Sequence, residues 1–253
     1  MNTKRLISIR WALLLLPLLA GCSLFNKAPM DILTYRQPRV ANHRLIVFMR
    51  GLGGDHRSFE EEGLVADVRE RQLPYDMVAP NAHFGYYWDR SLIQRMKADV
   101  IDPAHAEGYE EIWLIGFSMG GLGALMYTIE HPEDVQGICL IAPFLGYRSL
   151  LKEIATAGGV EEWDPGNYDP DEEWQRMLWH WLKENVTGNS TRPVYLGYGL
   201  KDPYVAGQAL LGEILPAGHV FTVPGGHSYE SFHSLWEMFL DSDGLTTAGP
   251  GTE

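Results

Sequence analysis

Three residues of suitable type and order could together move an acyl group. Ser118 sits in Leu-Ile-Gly-Phe-Ser-Met-Gly-Gly-Leu-Gly-Ala (residues 114–124), Asp202 in Gly-Leu-Lys-Asp-Pro-Tyr-Val (199–205) and His227 in Pro-Gly-Gly-His-Ser (224–228). A serine hydroxyl is a poor nucleophile at neutral pH. It needs a histidine to take its proton and a carboxylate to hold that histidine in the right tautomer. The apolar run 112–115 leads into Gly-Phe-Ser-Met-Gly, and a small-residue helical pattern follows. Such a strand–turn–helix strains the serine backbone, and the glycines two residues either side let neighbouring segments pass close to it. The helix start would aim its N–H groups at a developing oxyanion.

Something must carry these residues, and the hydrophobic pattern indicates what. Residues 45–49, 76–79, 112–115, 137–142, 193–198 and 220–223 read as strands. Helical spacing follows at 58–71, with Ser58 as cap and Glu61 three residues on, and at 91–105, where Pro103 should perturb the end. Further helices are predicted at 119–130, 171–184, 205–215 and 229–240. Strands alternating with helices imply a mostly parallel sheet of about six strands covered on both faces, with ligands bound beyond the strands' carboxyl ends. The residues 50–54, Ser118, Asp202 and His227 each fall just past an apolar run, where such a sheet would gather them.

The totals narrow the class. A chain of 253 residues, 45% hydrophobic, suits one globular domain, and a net charge of −13 opposes nucleic-acid binding, which calls for a basic face. Lys4, Arg5 and Arg10 precede an apolar stretch over 11–20, too short for the ~20 residues of a membrane span. Residues 1–21 therefore read as a signal peptide. Leu19-Ala20-Gly21-Cys22 resembles the lipobox of bacterial lipoproteins, which implies that Cys22 is acylated and becomes the mature N-terminus. Ser23, where an aspartate would signal retention, implies the periplasmic face of the outer membrane by the same resemblance. Residues 22–43 read as a lipid-anchored tether with one short strand near Ile32–Tyr35, and residues 241–253 as a flexible tail. With Cys22 lipidated, Cys139 has no disulfide partner and reads as a small buried hydrophobe.

The chain resembles the α/β-hydrolase superfamily over about residues 44–240, through the Gly-Phe-Ser-Met-Gly-Gly elbow, the Gly-Leu-Lys-Asp-Pro-Tyr-Val loop and the Gly-Gly-His loop. That resemblance implies Ser118 as nucleophile, His227 as base and then acid, and Asp202 as its orienting partner. It also implies an oxyanion hole from the backbone N–H groups of Leu52 and Met119. The implied activity is cleavage of carboxylic esters or thioesters, on a small-molecule or lipid-like substrate, with no cofactor. A lysophospholipase, a peptidase and a haloperoxidase-like enzyme could use the same triad, and a binding lipoprotein could keep the fold without turnover. Fold alone does not rank them.

Where many family members have His-Gly, this chain has Arg50-Gly51. Arg50 can be read as pairing with an acid such as Asp55 to pin the loop, or as facing an acidic group on the substrate. Residues 146–191 read as a small cap insertion. Its Trp163, Trp174, Trp179 and Trp181, with the run His-Phe-Gly-Tyr-Tyr-Trp at 83–88, would either line an apolar pocket or pack the insertion against the sheet. His219 precedes its strand, His233 falls inside a helix, and His83 and His105 lack partners at metal-ligand spacing, so no metal site is expected.

Overall fold

The computed structural model describes residues 29–37, 43–186 and 192–245. Seven strands form one sheet in the order β1-β3-β2-β4-β5-β6-β7: β1 (Ile32–Tyr35), β2 (Arg44–Met49), β3 (Asp76–Pro80), β4 (Glu111–Phe117), β5 (Gly137–Ile141), β6 (Val194–Gly199) and β7 (Val220–Val223). Every pairing is parallel except that of β1, which runs antiparallel to β3 with Ile32 opposite Pro80. This is the expected α/β-hydrolase architecture with one strand more than the apolar runs indicate. That strand, β1, is the one expected at Ile32–Tyr35 within the tether; it pairs with β3 at the sheet edge and moves the start of the sheet ahead of residue 44.

The helices are α1 (Ser58–Glu61), α2 (Leu64–Glu70), α3 (Phe84–Trp88), α4 (Leu92–Met96), α5 (Asp102–Ala106), α6 (Met119–Glu130), α7 (Arg148–Thr156), α8 (Trp174–Val186), α9 (Val205–Ile214) and α10 (Tyr229–Leu240). They cover both sheet faces, so the central strands are apolar on both sides. Leu45, Val47 and Met49 of β2 turn to the face packed by α4 to α9, while Ile46 and Phe48 turn to the face packed by α1, α2 and α10. Each of these is fully buried and stabilises the fold by roughly 1.5–3 kcal/mol.

Three local readings change. The helix predicted over 58–71 is broken by Gly63, whose φ of 88° is left-handed, and Ser58 opens α1 while its Oγ accepts from Asp55 N at 3.2 Å. The helix over 91–105 passes through Pro103 because the turn Lys97–Ile101 widens to π spacing just before it. The insertion at 146–191 contributes α7 and α8, which pack beside α6 and α9 as part of the helical layer. Trp163 and Trp179 are buried in that layer, and Trp179 Nε1 donates to Leu145 O at 2.8 Å, so these two rings are packing residues.

At the C-terminal end the fold continues past residue 240. Leu245 is buried, and its carbonyl accepts from Tyr75 Oη at 3.0 Å. Cys139 is buried in β5, where burial pushes its thiol well up and leaves it unreactive. Cys22 lies outside the described residues. No helix among the described residues is long and apolar enough to cross a membrane.

Candidate active site

Ser118 occupies the turn between β4 and α6 with φ 54° and ψ −116°, a conformation that costs an L-residue on the order of 1–3 kcal/mol. Surrounding bonds hold it there. Ser118 N donates to Ile141 O at 2.9 Å, and its carbonyl accepts from Gly121 N and Phe144 N, each at 3.0 Å. The elbow glycines are required by space. A Cβ on Gly116 would lie 2.5 Å from Gly120 O, and one on Gly120 would overlap the Met49 carbonyl.

His227 arrives on the loop between β7 and α10. Ser228 caps that helix, its Oγ accepting from Ser231 N. The acid loop after β6 and the histidine loop cross tightly: Lys201 N donates to Gly225 O at 2.9 Å, and a Cβ on Gly199 would lie 2.5 Å from the same oxygen. The crossing brings Asp202 and His227 together. His227 Nδ1 lies 2.7 Å from Asp202 Oδ2, and Nε2 lies 2.9 Å from Ser118 Oγ. A carboxylate can only accept, so Nδ1 carries the proton and Nε2 is left to accept from the serine hydroxyl. The Asp202 side chain is wholly buried, and its Oδ1 accepts from Tyr204 N at 2.8 Å. Tyr204 and Phe232 present T-shaped rings to the imidazole, at 5.2 and 5.0 Å between centroids, and restrict its swing.

The loop after β2 backs directly onto the serine. A Cβ on Gly51 would lie 3.2 Å from Ser118 Cβ and 3.7 Å from Oγ, so the glycine keeps the space beside the serine hydroxyl open. Met119, the first residue of α6, follows the serine, and Leu52 follows Gly51. Tyr87 Oη donates to Met119 O at 3.2 Å. Burial pushes the Tyr87 hydroxyl up, against the opposing pull of the Arg50 charge, so it stays a neutral donor.

Arg50 does not hydrogen-bond to Asp55. Its Nη1 donates to Asn81 Oδ1 at 2.8 Å, Nε to Gly51 O at 3.3 Å and Nη2 to Leu52 O at 3.3 Å. The partners of Arg50 are therefore an amide and two carbonyls, where the sequence pointed to an acid. Asp55 pairs with Arg57 and His56. Asn81 escaped the sequence reading, although it stands immediately past the end of β3, at the same sheet end as the triad.

Beside the triad an aromatic wall runs from Tyr204 to Phe144 (5.3 Å between centroids) and on to Tyr147 (5.4 Å) and Trp174 (6.3 Å). Of the tryptophans in the insertion, Trp174 alone joins this wall. His83, His105, His219 and His233 have other roles: His83 caps α3, His105 meets Asp134, His219 stacks on Tyr195, and His233 pairs with Asp67. Among the described residues, two sets of metal-type donors converge, Asp67 with His233 and Glu237, and His131 with Glu133 and Asp134. Neither contains a triad residue.

The family model described as "Putative esterase" matches residues 54–238. No curated protein sequence matches the chain. Among solved structures, the chain is similar to an S-formylglutathione hydrolase from Staphylococcus aureus (14% identity, 83% of this chain and 94% of that one, TM-score 0.55). It is also similar to a predicted CIB-like hydrolase from Thermoplasma acidophilum (18%, 84% and 91%, TM-score 0.54). A third likeness is to a monoacylglycerol lipase from Paleococcus ferrophilus (15%, 85% and 99%, TM-score 0.53). At these identities the likeness is one of fold.

Proposed function

The chain belongs to this esterase family, and on that premise we propose that it is a membrane-anchored serine hydrolase that cleaves carboxylic esters or thioesters through an acyl-enzyme on Ser118. The observation that carries the reading is the continuous relay from Asp202 through His227 to Ser118, at 2.7 and 2.9 Å. His227 Nε2 takes the hydroxyl proton as Oγ attacks the substrate carbonyl carbon, and the carbonyl electron pair moves onto oxygen. The oxyanion is held by the backbone N–H groups of Leu52 and Met119, each worth about 3 kcal/mol of barrier. When the tetrahedral intermediate collapses, the imidazolium gives its proton to the leaving alcohol or thiol. Water then repeats the attack on the acyl-enzyme with His227 again as base, releasing the acid and restoring Ser118. Asp202 keeps its negative charge throughout and stabilises the transient imidazolium.

The wall of Phe144, Tyr147, Trp174 and Tyr204 supports an apolar acyl or alcohol group as the part of the substrate that gives binding energy. Acylation of Cys22 would anchor the enzyme at the periplasmic face of the outer membrane. The leader and Leu-Ala-Gly-Cys at 19–22 support this placement. A fluorophosphonate probe tests the chemistry: it should label the folded wild type and not Ser118→Ala, and an unlabelled wild type would favour a binding protein that kept the fold. A panel of p-nitrophenyl esters of increasing chain length then defines the acyl preference.

A further inference from the structure

The large apolar side chains left in water are gathered at one end of the molecule. Of the seven among the described residues, Leu52, Phe84, Trp88, Tyr147, Leu200 and Tyr204 stand on segments that follow the carboxyl ends of β2, β3, β5 and β6, and only Met238 on α10 lies elsewhere. Single exposed hydrophobics need no explanation, but a rim of them gathered at one end of the sheet does. Trp88 is 79% exposed, and Phe84 lies beside it with centroids 6.1 Å apart. At the same sheet end, Tyr147 and Tyr204 flank Phe144, and Tyr204 meets the ring of His227. Four of the six are aromatic, the side chains that settle at a membrane–water interface.

Where the N-terminal chain joins the fold indicates what meets this rim. Ile32 pairs with Pro80, and Asp31 O accepts from Asn81 N at 2.8 Å, so the chain enters the sheet at the carboxyl end of the parallel strands, the end that carries Ser118. The entry strand is three positions from β4, or ~14 Å at normal strand spacing. Met30 lies eight residue steps after Cys22, a span of at most ~28 Å. A domain of this size is ~45 Å across, so a lipid on Cys22 could not let the opposite end of the sheet touch the bilayer.

We propose that the aromatic rim seats on the bilayer that holds the Cys22 lipid and opens the Ser118 site towards acyl esters carried in that membrane. This inference rests on the reading of Cys22 as lipidated and of Ser118 as the nucleophile. Insertion of rings, and not charge attraction, drives the seating, because a chain of net charge −13 is repelled by anionic lipid.

The test uses the full chain reconstituted into phosphatidylethanolamine–phosphatidylglycerol vesicles, with an environment-sensitive fluorophore on Trp88→Cys or, as control, on Met238→Cys. The label at 88 should shift to the blue and be quenched by doxyl lipids, and the label at 238 should not. The double variant Phe84→Ser/Trp88→Ser should hydrolyse a long-chain ester embedded in the vesicles about tenfold more slowly and p-nitrophenyl acetate within about twofold of wild type. A label at 88 as wet as the one at 238, or equal losses on both esters, overturns the proposal. So does a label at 88 shielded without vesicles, which would mean that another segment or a second copy covers the rim. Failure of the underlying readings shows separately: no acyl group on Cys22 by mass spectrometry removes the anchor and this proposal with it. A wild type inert on every ester while the label at 88 is quenched leaves the seating intact and overturns the hydrolase reading.

Discussion

Arg50 Nε reaches the carbonyl oxygen of Gly51 at 3.3 Å while its Nη1 is held by Asn81 Oδ1 at 2.8 Å. The Gly51 carbonyl shares a peptide plane with the Leu52 N–H, and in a trans peptide the two point in opposite directions. Gripping the oxygen therefore aims the N–H. In the proposed mechanism Arg50 would thereby position the Leu52 N–H for the oxyanion, itself anchored by Asn81 just past β3.

On the proposed mechanism Arg50→Ala should lower kcat by about 10–100-fold with KM little changed, because the oxyanion assigned to the Leu52 N–H forms only in the transition state. The loss should be equal for anionic and neutral esters, and Asn81→Ala should show a smaller loss of the same kind. A loss confined to anionic esters would instead place the Arg50 charge against the substrate.

Asp202→Asn should lower kcat by about 10⁴-fold without unfolding the protein, by analogy with the same change in a serine protease triad. An amide can donate to Nδ1, which moves the imidazole proton to Nε2 and leaves nothing to accept from Ser118. Steady-state kinetics alongside circular dichroism check both halves. Activity near wild type would mean that another group orients His227.

Two glycines separate space from flexibility. Gly120→Ala puts a Cβ into the Met49 carbonyl and should destabilise by more than about 4 kcal/mol, seen as loss of soluble folded protein. Gly53→Ala meets nothing within 4 Å and should stay within about 0.5 kcal/mol of wild type in urea denaturation.

Asp134 supplies a pH signature away from the site. Burial raises its carboxyl, but hydrogen bonds from Tyr127 Oη at 2.7 Å, Lys97 and His105 outweigh that and hold it below the usual 3.8. A folded-state value below the unfolded one adds stability above the unfolded value and loses it as pH falls through the folded one. Asp134→Asn should therefore cost about 1–3 kcal/mol at pH 7, and its gap to wild type should narrow below about pH 4. Denaturation midpoints at pH 7, 5 and 3 measure this, and a gap independent of pH would refute it.

Much of this was legible in the order of residues because the signals are local. Residues 112–124 announce a strand, a strained serine and a helix, since a continuous apolar run, glycine and small residues each act within a few positions. Residues 119–130 are helical as read, and the loops of Asp202 and His227 begin where their apolar runs stop. The errors also have local causes. Gly63 takes a left-handed turn that its neighbours do not reveal, and a π turn carries the chain through Pro103, whereas Ile32–Tyr35 is a strand as read and only its pairing with β3 is hidden from the sequence.

What the sequence by itself determined was the fold class and which residues could do chemistry, through their kinds and their place after apolar runs. Only the tertiary structure decided that Asp202 and His227 meet, because that depends on Gly199 and Gly225 letting two loops cross at one oxygen. It also decided that Arg50 grips carbonyls and Asn81 in place of Asp55, that Trp163 and Trp179 are packing while Trp174 faces the triad wall, and that the N-terminal chain enters beside the active site. Apart from the Arg50 contacts to its neighbouring carbonyls, each is a relation between separate segments of the chain, set by sheet order and strand direction, and such relations leave no trace in local spacing.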